Sequence, residues 1–248
     1  APDTKKGIAE NSGLIAHISS ERIREELTGI LTARYPMEFL ILKDTGLLRW
    51  ILPEVDACFE IRQNNPHHVY NVGEHSLHAV AAIENEACLR WTMLLHDIGK
   101  AVTRTTDDKG IDHFYGHVGK SVEMAEDILR RLKFDNRSTN RILRLIRFHD
   151  RDIDMQPAAV ARAVNEIGED IFMDLLKVKR ADKSAQNPED LKKGLEMIGR
   201  IEEIYLQLLE RNSCLKLKDL AINGEDLISM GFREGPEIGR TLSELLDR

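Results

Sequence analysis

A chain of 248 residues can bury one large core, or one core with a smaller companion. Its 42% apolar and 31% charged content excludes a disordered chain, and its net charge of −7 excludes a globally basic nucleic-acid binder, leaving room only for local basic patches. Cys58, Cys88 and Cys214 are far apart and odd in number, which gives no support for a disulfide framework or a cysteine-rich zinc site and suits free thiols in a reducing cytoplasm.

The spacing is helical nearly throughout. Ile23, Leu27, Ile30 and Leu31 share one face behind Ser19-Ser20, a predicted N-cap. Pro36 opens a second helix that Gly46 can end. Further helices are predicted over roughly 71–85, 87–98, 115–133, 138–149, 157–187 with a break near Gly168, and 188–212. A short unit follows Asn223-Gly224 and runs into Gly235-Pro236-Glu237. No alternating strand pattern, internal repeat, bilayer-length apolar run or signal peptide is present. The fold class read from this is all-α, with no membrane partner. The chain opens at Ala1 rather than methionine, so a processed form or a piece of something longer remains open.

The run Leu89–Ile98 is almost wholly apolar yet ends in His96-Asp97, and an unpartnered carboxylate taken out of water is very costly. Other polar groups share its predicament. Eight of the nine histidines lie between His67 and His149. His117 heads the stripe Ser121, Met124, Ala125, Ile128 and Leu132; His149 ends the stripe Ile142, Leu145 and Ile146. Asp182 follows Ile171, Leu175 and Val178, and His75 sits with Val72, Ala79 and Ala82. His75, His96, Asp97, His117, His149 and Asp182 are therefore predicted to face inward. Any one alone reads as a hydrogen-bonded core residue. Six together, each costing on the order of 1–3 kcal/mol if uncompensated, would rival a domain's net stability of roughly 5–15 kcal/mol. One or two divalent cations compensate them all. Imidazole and carboxylate suit manganese, iron, nickel, cobalt, zinc or magnesium.

The pattern His75, His96-Asp97, Asp182 resembles the H…HD…D signature of the HD superfamily of metal-dependent phosphohydrolases, and His117 and His149 resemble the extra histidines of its two-metal members. The stretches "ERIREEL" (21–27), "GLLRWILPEV" (46–55), "NPHHVYNVGEHSL" (65–77), "LLHDIGKAVTRT" (94–105), "HFYGHVGKS" (113–121), "RADKSAQ" (180–186) and "DLAINGEDLISMGFREGPEIGRTL" (219–242) resemble, in order, the C-terminal half of bacterial tRNA nucleotidyltransferases that carry an HD domain. The resemblance implies a neck-like RNA-binding segment over 1–64, an HD domain over 65–187 and a helical extension over 188–248. It implies phosphoester hydrolysis on a nucleotide or RNA, with Asp97 as the bridging ligand and Lys100 at the rim meeting phosphate. The alternative is a non-catalytic tRNA-binding body, and a third reading is a regulatory nucleotide-binding module.

Nothing here matches the Gly-rich loop and paired aspartates of the family's nucleotide-adding head, so CCA addition is not expected of these residues alone. Asp152-x-Asp154 reads as a solvated turn. Gly99 is expected to let the chain leave its helix. His67 and His68 are candidates to touch substrate, though turn chemistry is the stronger reading. Arg141 and Arg144, with Arg137 and Arg151, form a stripe that could meet RNA phosphates; an acid-paired, solvated face is the stronger reading. Trp50 and Trp91 are expected in the core.

Overall fold

The computed structural model describes residues 2–64, 69–210 and 222–246. Their secondary structure is helical apart from the antiparallel pair Thr105–Thr106 and Asp112–His113, which confirms the all-α expectation. None of the described helices is long and apolar enough to cross a membrane. The chain forms two compact units: Ala1–Asp150 with Asp174–Leu195, and Arg151–Met173 with Glu196–Arg248.

In the first unit the starts of the helices follow from their caps. Ser19 Oγ accepts the Arg22 N–H at 3.3 Å and opens Ser20–Leu31. Asn71 and Glu74 form a reciprocal capping box on Val72–Ala82, Glu86 caps Ala87–Leu95, and Asp135 caps Asn136–Phe148. Pro36 begins a 3₁₀ turn, Pro36–Phe39, that continues as Leu40–Asp44; Gly46 then turns the chain at φ 71°.

Ala87–Leu95 is the centre of this unit. It packs against Ser20–Leu31, Val72–Ala82 and Asn136–Phe148. Surrounded on several sides, it is apolar all round, with Leu89, Trp91, Met93, Leu94 and Leu95 all buried. Trp91 Nε1 donates to Thr28 Oγ1 at 2.9 Å and its ring meets Phe134 edge-on at 5.2 Å. Arg90, the charged exception, donates to the carbonyls of Leu31, Ala33 and Glu84, satisfying backbone acceptors at the end of Ser20–Leu31. Trp50 departs from expectation: it is 56% exposed. On the short helix Leu48–Ile51 the inward positions go to Leu48 and Ile51, and the indole lies outside, beside Gly13.

In the second unit, Gly168 at φ 103° separates Pro157–Ile167 from Glu169–Ser184, at the predicted break. Val160, Val164, Ile171, Phe172, Ile201 and Tyr205 are buried, with Phe172 and Tyr205 rings 4.8 Å apart. Asp152 and Asp154 are exposed on the connecting loop, as the solvated-turn reading expects. The C-terminal helices are Gly224–Ser229, capped by Asn223, and Pro236–Leu246.

Candidate metal centre

Five segments of the first unit converge on one point. Val72–Ala82 supplies His75. The turn after Ala87–Leu95 supplies His96 and Asp97. His117 is the first residue of His117–Arg131, His149 follows Asn136–Phe148, and Asp182 lies near the end of Glu169–Ser184. The structure thus brings together all six side chains expected to face inward. His75, His96, Asp97 and His149 are buried, and His117 and Asp182 reach the cleft with side chains 15% and 16% exposed.

Gly99 makes the convergence possible, for a different reason than expected. Its φ of −64° and ψ of −21° suit any residue, so it is not needed to end a helix. A Cβ there would strike the His117 carbonyl and come within 2.6 Å of Ser121 N. The Gly99 N–H instead donates to Ser121 Oγ at 2.9 Å, drawing the His117 helix against the His96-Asp97 turn.

The ring orientations are fixed by the backbone. Nδ1 of His96, His117 and His149 lies 2.8, 2.9 and 2.7 Å from the carbonyls of Met93, Phe114 and Ile146, and Nδ1 of His75 lies 3.1 Å from that of Ala185. A carbonyl can only accept, so each Nδ1 carries hydrogen and each neutral ring offers an Nε2 lone pair. These four Nε2 atoms surround two carboxylates. His75 and His96 stand 3.6 and 3.4 Å from Asp97 Oδ2, and 3.0 and 3.5 Å from Asp182 Oδ1. His117 and His149 stand 3.5 and 3.7 Å from Asp97 Oδ1.

The electrostatics follow from this crowding. Burial opposes ionisation of Asp97, but Lys100, His96 and His149 outweigh it and hold the carboxyl well below the usual range. Asp182 is held down likewise, chiefly by His75 and His96 against the cost of burial. Burial also pushes His75 and His149 toward neutrality, yet the neighbouring Asp182 and Asp97 carboxylates raise both. His117, where burial dominates, is lowered.

These residues fit a divalent cation. His96 Nε2 and Asp97 Oδ1 are buried without a hydrogen-bond partner, a costly condition that bound divalent cations would relieve. Two donor groups, His75-His96-Asp97 and Asp97-His117-His149, each bring their ligand atoms within 4.8 Å of one another, and the set is nitrogen and oxygen without thiolate. The centre opens into a cleft of about 420 Å³ lined also by Asp112, His113, Phe114, Tyr115 and Gln186.

The remaining sequence candidates fare differently. Lys100 lines the cleft but sits deeper than a rim position: it is 7% exposed, with Nζ 2.7 Å from Asp97 Oδ2 and 3.0 Å from Gln63 Oε1. Its position three residues after Asp97 in the tight turn folds it back onto that carboxylate. Arg141 is engaged by Asp174 Oδ2 at 2.7 Å and Glu86 Oε2 at 3.2 Å, and Arg144 is half-buried. His67 and His68 lie outside the described residues. Gln63 and Gln186 went unnoticed in the sequence. Gln186 donates to Asp182 Oδ2 at 3.0 Å, a bond that its spacing of four residues from Asp182 could have signalled; Gln63 carries no such signal.

Two families match this chain. Residues 1–59 match the one described as "Probable RNA and SrmB- binding site of polymerase A", and residues 103–248, more than half the chain, match tRNA nucleotidyltransferase domain 2. The CC-adding tRNA nucleotidyltransferase of Thermus thermophilus is 31% identical over 92% of this chain and 52% of its own length. The A-adding tRNA nucleotidyltransferase of Deinococcus radiodurans is 29% identical over 99% and 59%. The multifunctional CCA protein of an Azoarcus species is 34% identical over 54% and 33%. The chain spans about half the length of the first two relatives. These matches overturn the phosphohydrolase expectation, because the relatives are named as transferases. A metal-donor set shared with hydrolases establishes what can be bound, not which reaction follows. By the family match over more than half its length, the chain belongs to the tRNA nucleotidyltransferase family.

Proposed function

We propose that this chain is the tRNA-holding body of a nucleotidyltransferase, and that its buried centre binds one or two divalent cations as part of that body. The observation that carries the reading is the pairing of an RNA-binding match over residues 1–59 with a tRNA nucleotidyltransferase match over 103–248. The first region presents a surface suited to RNA. Tyr35 is 60% exposed, and the Arg34 guanidinium lies 5.3 Å from its ring centroid. An exposed aromatic face beside a guanidinium can stack a base and meet a phosphate. Such attraction has to be local, given the net charge of −7.

In the cation centre His75, His96, Asp97, Asp182, His117 and His149 would hold the metal, which would neutralise the buried carboxylates and tie their helices together. The unpartnered His96 Nε2 and Asp97 Oδ1 support this. The test is a tRNA mobility shift with the purified chain: binding should weaken steeply with salt, and Tyr35→Ala with Arg34→Glu should abolish it. Binding that is insensitive to both salt and these substitutions overturns the RNA surface. Elemental analysis after gel filtration should find manganese, iron, nickel, cobalt or zinc in the wild type and none in Asp97→Ala.

A further inference from the structure

The chain has two tryptophans, and they stand in opposite environments. Trp91 is wholly buried with its N–H donated to Thr28 Oγ1, whereas Trp50 is 56% exposed. An indole is a large apolar group, so leaving one half in water gives up stabilisation that the core would supply. The ring is nonetheless held in place. A Cβ built on Gly13 would stand 3.6 Å from it, an ordinary contact, so the indole rests against the turn Ser12–His17. A ring already positioned loses little freedom when a ligand lies on its open surface. Beside it in sequence, Arg49 is exposed. Its Nε donates to the Gly46 carbonyl at 3.3 Å, and among the described residues no carboxylate pairs with it. Arg49-Trp50 therefore repeats, further along the same segment, the chemistry of Arg34-Tyr35: a cation next to an exposed aromatic.

We propose that Trp50 is a second RNA platform on this segment: its open surface stacks an unpaired base of the bound RNA, and Arg49 meets the adjoining phosphate. The inference rests on the reading that the chain holds tRNA, and it assigns a contact that reading does not require. Stacking suits such a site because every base has an aromatic face, so one indole serves RNAs of different sequence. The guanidinium alongside supplies local positive charge on a chain whose net charge is −7.

Tryptophan fluorescence of the unmodified full chain tests this. Acrylamide should quench Trp50 and spare buried Trp91, and saturating tRNA should shield the quenchable fraction. Trp50→Phe should remove that fraction, which ties the signal to the residue. In mobility shifts Trp50→Ala should weaken tRNA binding by about tenfold, whereas Trp50→Phe, which keeps an aromatic face, should weaken it by no more than about threefold. Arg49→Gln should lower the salt dependence of binding. Circular dichroism reads the fold of each variant, and the shielding measurement on the wild type needs no variant to fold. If the wild type binds tRNA while Trp50 stays open to acrylamide, or if Trp50→Ala binds as the wild type does, this proposal falls and the tRNA-holding reading stands; the exposed indole and Leu14 then fit a protein partner instead. If the wild type binds no tRNA, both fall.

Discussion

Nε2 of His75 lies 3.0 Å from Oδ1 of Asp182, joining two helices 107 residues apart in sequence. The same carboxylate oxygen stands 3.5 Å from His96 Nε2, so Asp182 faces both His75 and His96. Asp182→Ala should lower cobalt affinity by about tenfold or more while sparing the helical fold. Isothermal calorimetry and circular dichroism check the two halves of that expectation, and undiminished affinity would remove Asp182 from the centre.

A methyl group at residue 99 would meet the His117 backbone rather than a flexible side chain. Gly99→Ala should therefore destabilise the chain by about 1–3 kcal/mol in urea unfolding. It should also reduce metal binding, because relieving the clash moves His117 away from Asp97. Gly119→Ala, at a position with open space around its Cβ, is the control and should change binding little.

Arg90 contributes through the backbone it satisfies. Its guanidinium serves the Leu31, Ala33 and Glu84 carbonyls from a position 7% exposed. Arg90→Met should keep most of the packing volume yet leave those acceptors without their donor, costing about 1–3 kcal/mol. Urea unfolding gives the value; a change within a few tenths of a kcal/mol would mean that water replaces the guanidinium.

Asp112 should give the unit an acid-sensitive increment of stability. Burial raises its carboxyl, but the Asn64 N–H at 3.0 Å, Thr106 hydroxyl at 2.7 Å and Arg104 Nε at 3.0 Å outweigh that and lower it. A group lowered by folding stabilises above its unfolded value and loses that contribution as pH falls through its folded value. The stability gap between wild type and Asp112→Asn should be full at neutral pH and shrink below about pH 4. Urea midpoints measured from pH 7 down to pH 3 trace it, and a gap independent of pH would contradict the assignment.

The helices and the convergence of the six side chains were legible because both depend on short-range regularities. Ser19-Ser20 announces a helix start locally, and a stripe such as Ile142, Leu145, Ile146 and His149 shows which way a ring must face. Lys100 and Trp50 were misplaced because their environments come from elsewhere. Gln63, 37 residues away, completes the Lys100 pocket. Trp50 is excluded from the core because Leu48 and Ile51 take the two inward positions of a single helical turn. The reaction was illegible for another reason. Two carboxylates and four imidazoles state a preference for a cation and are silent on what the surrounding protein does with RNA.

His96, His117 and His149 each bond a carbonyl three residues upstream, within one turn of their own chain. The aim of each ring is consequently set within its own local segment. Packing of the segments then needs to fix only where they stand, not which way each ring faces. Swapping any of the three for a longer amide would keep a polar group in place but discard this self-alignment.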